Sequence, residues 1–113
     1  NKPVYGIYEL SHNISTVLIC ESCINAITAT IYGYHAVALL GTGNAYQIQQ
    51  LKELGVRNFV ICLDGDDAGS RGTAKLKKAL SSTALVWTIT MPSGKDINDC
   101  TKDEFDLLYA NKE

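Results

Sequence analysis

The chain has 113 residues, 46% of them hydrophobic, and its ten Lys plus Arg against twelve Asp plus Glu leave a net charge of −2. That length supports one core and excludes a core plus an independent second module. The charge argues against unaided, charge-driven binding of nucleic acid, although metal ions locally reverse the sign of an acidic site. No apolar run approaches the length of a membrane span. A start at Asn1 rather than Met, without a signal peptide, fits a piece excised from a larger cytosolic protein.

Short β-rich runs alternate with helical patterns, the signature of an α/β fold with a mostly parallel sheet of about four strands flanked by helices. The opening Pro3-Val-Tyr-Gly-Ile-Tyr-Glu9 reads as an edge strand or as a connector from a preceding domain, within a leading segment 1–13. Residues 16–20 form the first clear strand. A helix follows from about Ser22, with Ile24, Ile27 and Ile31 at helical spacing and Gly33 close to its end. Residues 36–40 make a second strand running into Gly41-Thr-Gly-Asn44, and Ile48, Leu51 and Leu54 mark the apolar stripe of a helix stopped by Gly55. The third strand is 58–63, and the Ala, Leu and Lys content from Ala68 to Leu80 favours a helix. Leu85 to Thr90 reads as the fourth strand, where Trp87 alternates with Leu85 and Ile89 as core rather than as a base-stacking platform. Met91-Pro-Ser-Gly94 is then a loop, Lys95-Asp-Ile-Asn-Asp99 a polar cluster, and Asp103 to Ala110 a terminal amphipathic helix.

Cys20-Glu-Ser-Cys23 has the C-x-x-C spacing of zinc sites and thiol redox enzymes, but no second pair follows it. Cys62 and Cys100 are isolated, and His12 and His35 lack ligand spacing, whereas a zinc knuckle needs four convergent ligands. Cys20 and Cys62 also sit inside apolar runs, where a free thiol behaves as a small hydrophobe. Buried reduced cysteine is the expectation, with no zinc in this segment.

Three acidic clusters each fall just past the end of a strand: Glu21, then Asp64 with Asp66, then Asp96 with Asp99. Taken singly they have ordinary readings, as a first-turn helix acid, a turn and a capped polar loop. Together they are in phase with a βα pattern, and parallel strands bring them to one edge of the sheet. Like charges that close raise one another's pKa, a cost that magnesium removes while leaving coordination positions for phosphate oxygens.

The Gly41-Thr-Gly43 turn sits between a strand and a helix, so its amides either face an anion or close a tight connection. It completes no dinucleotide fingerprint, and Gly94-Lys95 is followed by Asp96 rather than the Ser or Thr of a P-loop. Arg71, Lys75 and Lys78 share one helix face, either solvated or in contact with a nucleic acid backbone.

In this order, Val17-Leu-Ile-Cys-Glu21, Leu39-Leu-Gly-Thr-Gly43, Leu63-Asp-Gly-Asp-Asp-Ala-Gly69 and Gly94-Lys-Asp-Ile-Asn-Asp99 resemble the toprim domain, and within it the DnaG-type primases of bacteria and phages. The likeness covers about residues 3–100, with a domain core of about 14–100, and implies the Rossmann-like toprim fold. It implies that Glu21 acts in proton transfer or metal binding, that Asp64 and Asp66 bind Mg2+, with Mn2+ able to substitute, and that Asp96 is the first acid of the later motif. Asp67 is a bystander. The family usually has Gly after the glutamate and often an Asp four residues beyond it, whereas this chain has Ser22 and Asn25. Many relatives carry a second acid two residues after Asp96, where this chain has Asn98, with Asp99 beside it as a substitute ligand.

The resemblance implies nucleotidyl transfer, making RNA primers from ribonucleoside triphosphates on a single-stranded DNA template. Gly41, Thr42, Gly43 and Lys95 would then face phosphates, and Arg71, Lys75 and Lys78 the nucleic acid backbone. It also implies a cytoplasmic, nucleoid-associated setting and a replicative helicase as partner, through regions outside this chain. The alternatives are a toprim nuclease or topoisomerase using the same acids, and a non-catalytic metal- and nucleic-acid-binding module. A haloacid-dehalogenase-like phosphatase also uses Asp-x-Asp after a strand, but here the motif follows two βα units.

Overall fold

The computed structural model describes residues 4–7, 10 and 13–113. Strands β1 (Thr16–Cys20), β2 (Ala36–Ala38), β3 (Asn58–Cys62) and β4 (Leu85–Thr88) form one all-parallel sheet in the order β2-β1-β3-β4. Helices α1 (Cys23–Ile31), α2 (Ala45–Glu53), α3 (Asp67–Leu80) and α4 (Lys102–Ala110) flank it, and a 3-10 turn covers Ile97–Asp99. The expected α/β class and strand order along the chain are therefore borne out.

β1 and β3 lie in the middle of the sheet and are buried on both faces, which is why they read as unbroken apolar runs. Leu18, Cys20, Val60 and Cys62 pack with α1, Phe105 of α4 and Ile97 on one face. Val17, Ile19, Phe59 and Ile61 pack with Leu51 of α2 and with Leu76 and Leu80 of α3 on the other. Cys20 pairs with both Ala38 and Cys62, so β2, β1 and β3 end level. From β1 the chain passes out to β2 on one side, then returns across β1 to β3 and β4. Crossovers of one hand carry helices to opposite faces when they run in opposite directions, and the crevice opens where the direction reverses, at the carboxyl ends of β1 and β3.

Several boundaries differ from expectation. β2 stops at Ala38 rather than position 40, because Leu40 turns into the left-handed region at φ 57°. β3 ends at Cys62 and β4 at Thr88, although Ile89 N still donates to Ile61 O. α3 begins at Asp67 because Asp66 caps it, and α4 at Lys102 because Thr101 and Glu104 form a capping box.

The larger correction concerns α1. Ile24, Ile27 and Ile31 are 62%, 46% and 76% exposed, and the sheet-facing residues are Asn25, Ala26 and Ala29. At about 100° per residue these two faces lie about half a turn apart. Small side chains let the helix approach the sheet closely, and the isoleucine stripe is left outside, beside an apolar hollow shared with Tyr5, Leu10 and Tyr34. Of the opening segment, Tyr5 bridges antiparallel to Ala38 at the sheet edge, while Pro3, Tyr8, Glu9 and His12 lie outside the described residues. Trp87 is partly buried against the core, and its Nε1 donates to Asn58 Oδ1.

Candidate active site

Glu21 is the first residue past β1, and its Oε1 accepts from the backbone N–H of Asp64 at 3.2 Å, two residues past β3. That bond closes the crevice between the two central strands. Asp66 then turns back: its N–H donates to Asp64 O at 2.9 Å, and its Oδ1 accepts from Gly69 N at 2.7 Å as the N-cap of α3. The chain here is folded so tightly that only glycine fits at two positions. A Cβ on Gly65 would lie 2.4 Å from Pro92 O, and one on Gly69 would lie 2.0 Å from Asp64 O.

The third acidic cluster arrives by backbone pairing. Gly65 N donates to Lys95 O at 3.2 Å, and Gly94 N donates to Gly65 O at 2.8 Å, which clamps the 91–99 loop onto the turn after β3. Asp96 is thereby brought beside Asp64, and Asp64, Asp66, Lys95 and Asp96 together line a small cleft of about 110 Å³. A wider cleft of about 520 Å³ opens next to it, lined by Asp64, Asp66, Ser70, Thr88, Thr90 and Ser93 among others.

The electrostatics record the same convergence. Burial pushes the Asp64 carboxyl above its ordinary range, and the charges of Asp96, Asp66 and Asp99 push it further. Glu21 is likewise raised by burial first; its bond from the Asp64 N–H opposes this, and the charges of Asp64 and Asp66 add to it. Asp96 Oδ1 is buried with no hydrogen-bond partner among the described residues. Asp99 Oδ2 accepts from Asp96 N at 3.0 Å across the 3-10 turn.

Among the described residues no three His, Cys, Asp or Glu side chains form a ready-made ion cage. The oxygen set still fits a magnesium-type ion, which is bound by one or two carboxylates, waters and substrate phosphates rather than by an all-protein cage. Asp64 and Asp66 supply the carboxylates, and the orphaned Asp96 oxygen is a buried acceptor in search of a positive partner. The cysteines stand elsewhere. Cys20 and Cys62 are cross-strand neighbours in the core, and burial drives the Cys62 thiol up to about 12.

The remaining expected residues divide. Gly41 N donates to Glu21 O at 3.1 Å, so the Gly41-Thr42-Gly43 loop abuts the site but has already used that amide. Thr42 packs against Gly72, where an added Cβ would come within 2.7 Å, and Lys75 Nζ donates to Gly43 O, tying the loop to α3. Arg71 is exposed on the first turns of α3. Lys78 is also exposed, about 18 Å along the helix from Asp66 at 1.5 Å per residue, and is not brought to the acidic edge.

Three residues at the site were not among those expected there. Asn25, buried to 1% exposure, donates from Nδ2 to Asp64 Oδ1 at 3.3 Å and accepts from Asn98 Nδ2 at 3.0 Å. Thr28 Oγ1 donates to Asn98 Oδ1. A polar residue on the same helix face as the alanines at 26 and 29 was the available signal, masked by the isoleucine stripe on the same helix.

A doubly wound parallel sheet with carboxylates gathered at its switch point defines an α/β domain whose candidate site lies at its carboxyl edge. The Toprim-like family pattern matches residues 18–101, and the chain belongs to that family. The DNA primase of Buchnera aphidicola subsp. Acyrthosiphon pisum (strain APS) is 33% identical over 111 residues, covering 91% of this chain and 19% of that protein. The Gene 57 protein of Mycobacterium phage D29 is 31% identical over 99 residues, covering 87% of this chain and 63% of that protein. A solved DNA primase domain from Pseudomonas aeruginosa superposes with a TM-score of 0.80 at 21% identity, over 96% of this chain and 38% of its own, and bears out the fold. The chain thus spans less than two thirds of these relatives, and its likeness within the family is to the toprim domain of DnaG-type primases.

Proposed function

We propose that this chain is the catalytic toprim domain of a DNA primase, performing magnesium-dependent nucleotidyl transfer that makes RNA primers on single-stranded DNA. The observation that carries this reading is the gathering of Glu21, Asp64, Asp66 and Asp96 at one sheet edge in a Toprim-like chain. Asp64 and Asp66 would hold the ion, each having one oxygen free of the bonds to Asn25 and Gly69. When bound, the ion supplies Lewis acidity to phosphate oxygens of the incoming ribonucleotide as charge develops in the displacement.

Glu21 is the proton-transfer group in this reading. What supports it is a carboxyl held above the usual range by burial and anchored through one oxygen to the Asp64 N–H, at the edge where the 3′-hydroxyl of the growing primer would be deprotonated. Lys95, on the rim of the small cleft, offers a cation to the triphosphate, and Arg71 on the first turns of α3 faces the nucleic acid backbone, with Lys75, past the middle of that helix, holding the Gly41-Thr42-Gly43 loop beside it. Lys78 is too far along the helix to share that contact at the acidic edge. The setting is cytoplasmic, at the replicating chromosome of a bacterium or phage, and the helicase contact falls to other parts of the parent protein.

The test is templated primer synthesis by the intact parent protein. Glu21→Gln and Asp64→Ala are expected to abolish synthesis while leaving the far-ultraviolet circular dichroism unchanged, and normal synthesis by either variant refutes the assignment. A second reading, a non-catalytic metal- and nucleic-acid-binding module, is favoured by Asn25 and Asn98 standing where many relatives carry acids. It expects no synthesis by the unsubstituted parent protein, with cation binding retained.

A further inference from the structure

The two positions at which the sequence departs from the acidic pattern, Asn25 and Asn98, are 73 residues apart in the chain and in direct contact. Asn25 uses its amide at both ends. Its Oδ1 accepts from Asn98 Nδ2 at 3.0 Å and from Asn98 N at 3.4 Å, while its Nδ2 donates to Asp64 Oδ1 at 3.3 Å. Thr28 Oγ1 closes the far end on Asn98 Oδ1. The result is a neutral thread from α1 through the loop that carries Asp96 to the turn that carries Asp64.

A buried amide is costly unless paired, and here the pairing fixes one oxygen of Asp64, whose carboxylate lines the small cleft. A carboxylate in place of the Asn25 amide would stand beside Asp64, which already feels Asp96, Asp66 and Asp99, and such a group of anions holds together only around a counter-ion. An Asn–Asn contact has no such requirement. We propose that the Asn25–Asn98 pair is a positioning device that holds Asp64 and the Asp96 loop in place without an ion, so that the edge is assembled in advance and takes a single divalent cation at Asp64 and Asp66. This rests on the reading of those two acids as cation ligands.

The experiment is Mn2+ titration of the 113-residue chain, followed by electron paramagnetic resonance, with thermal unfolding measured in EDTA and in Mn2+. The unsubstituted chain is expected to bind one Mn2+, and Asp64→Ala to bind none. Asn25→Ala and Asn98→Ala should each weaken binding about ten- to a hundredfold, the range seen when partners that orient a metal ligand are removed. The double variant should be little worse than the worse single one, since both break one thread. Asn98 is exposed, so its variant keeps the test intact if Asn25→Ala does not fold. Asn25→Asp should unfold at lower temperature than the unsubstituted chain in EDTA and regain that loss in Mn2+. Unchanged affinity in both alanine variants, or an Asn25→Asp chain as stable as the unsubstituted one in EDTA, overturns the positioning role alone. Absence of Mn2+ binding by the folded, unsubstituted chain overturns the cation-ligand reading beneath it.

Discussion

Asp64 is stabilised in its protonated form by the fold, and that has a sign. A carboxyl whose pKa is raised on folding contributes stability that is full below its unfolded value and is lost as pH climbs through the raised one. Glu21 has the same sign. In EDTA the chain should therefore lose the contribution of these two groups as pH climbs above the ordinary carboxylate range. Asp64→Asn, which keeps an oxygen for Asn25, should raise the thermal midpoint at pH 7 and flatten that slope; a lower midpoint would count against the charge repulsion described here. Gly69 gives an opposite kind of test. Helix propensity alone favours Gly69→Ala by about 1 kcal/mol, but the new Cβ would sit 2.0 Å from Asp64 O. The clash should win, with a net loss of about 1–3 kcal/mol in urea unfolding.

At the level of elements, β1 and β3 were legible because strands buried on both faces leave uninterrupted apolar runs, and α2 and α3 because Gly55 and the Ala-Leu-Lys content punctuate them. α1 was legible as a helix but not in its orientation. Periodicity identifies which residues share a face, and it does not say which face meets the sheet when a small-residue face competes with a branched one. Ala26 and Ala29 won because close approach also brings Asn25 to Asp64. Ile24→Ser and Ile31→Ser should accordingly change stability by no more than about 0.5 kcal/mol, while Ala29→Leu should cost about 1–3 kcal/mol by overpacking, both read from urea midpoints. On the same side of the sheet, Phe105 seats α4 against Tyr34 with ring centroids 5.2 Å apart. Phe105→Ala should cost about 3–5 kcal/mol.

For the whole molecule, the order of the acidic clusters along the chain was enough to place Glu21 and the Asp64–Asp66 pair on one edge, since β1 and β3 are parallel and end level. What the order did not contain was the clamp between Gly65 and the 91–99 loop that carries Asp96, whose backbone bonds join residues 29 and 30 apart and carry no side-chain signature. Nor did it show that one Asp99 oxygen accepts from Asp96 N across the 3-10 turn. If the edge takes one divalent ion, folding and binding are linked: Mg2+ at a hundredfold excess over its dissociation constant should stabilise the whole chain by about 2.7 kcal/mol. Urea titrations with and without MgCl2 measure this, with Asp64→Asn as the variant that should not respond. The double duty of Asp66 offers a way to watch the ion arrive. One of its oxygens is fixed to the Gly69 N–H at the start of α3, so an ion on the other oxygen draws electron density away from that bond. The Gly69 cross-peak, in the uncrowded glycine region of a 1H–15N spectrum, should move in step with occupancy, making the first turn of a helix the site's own indicator.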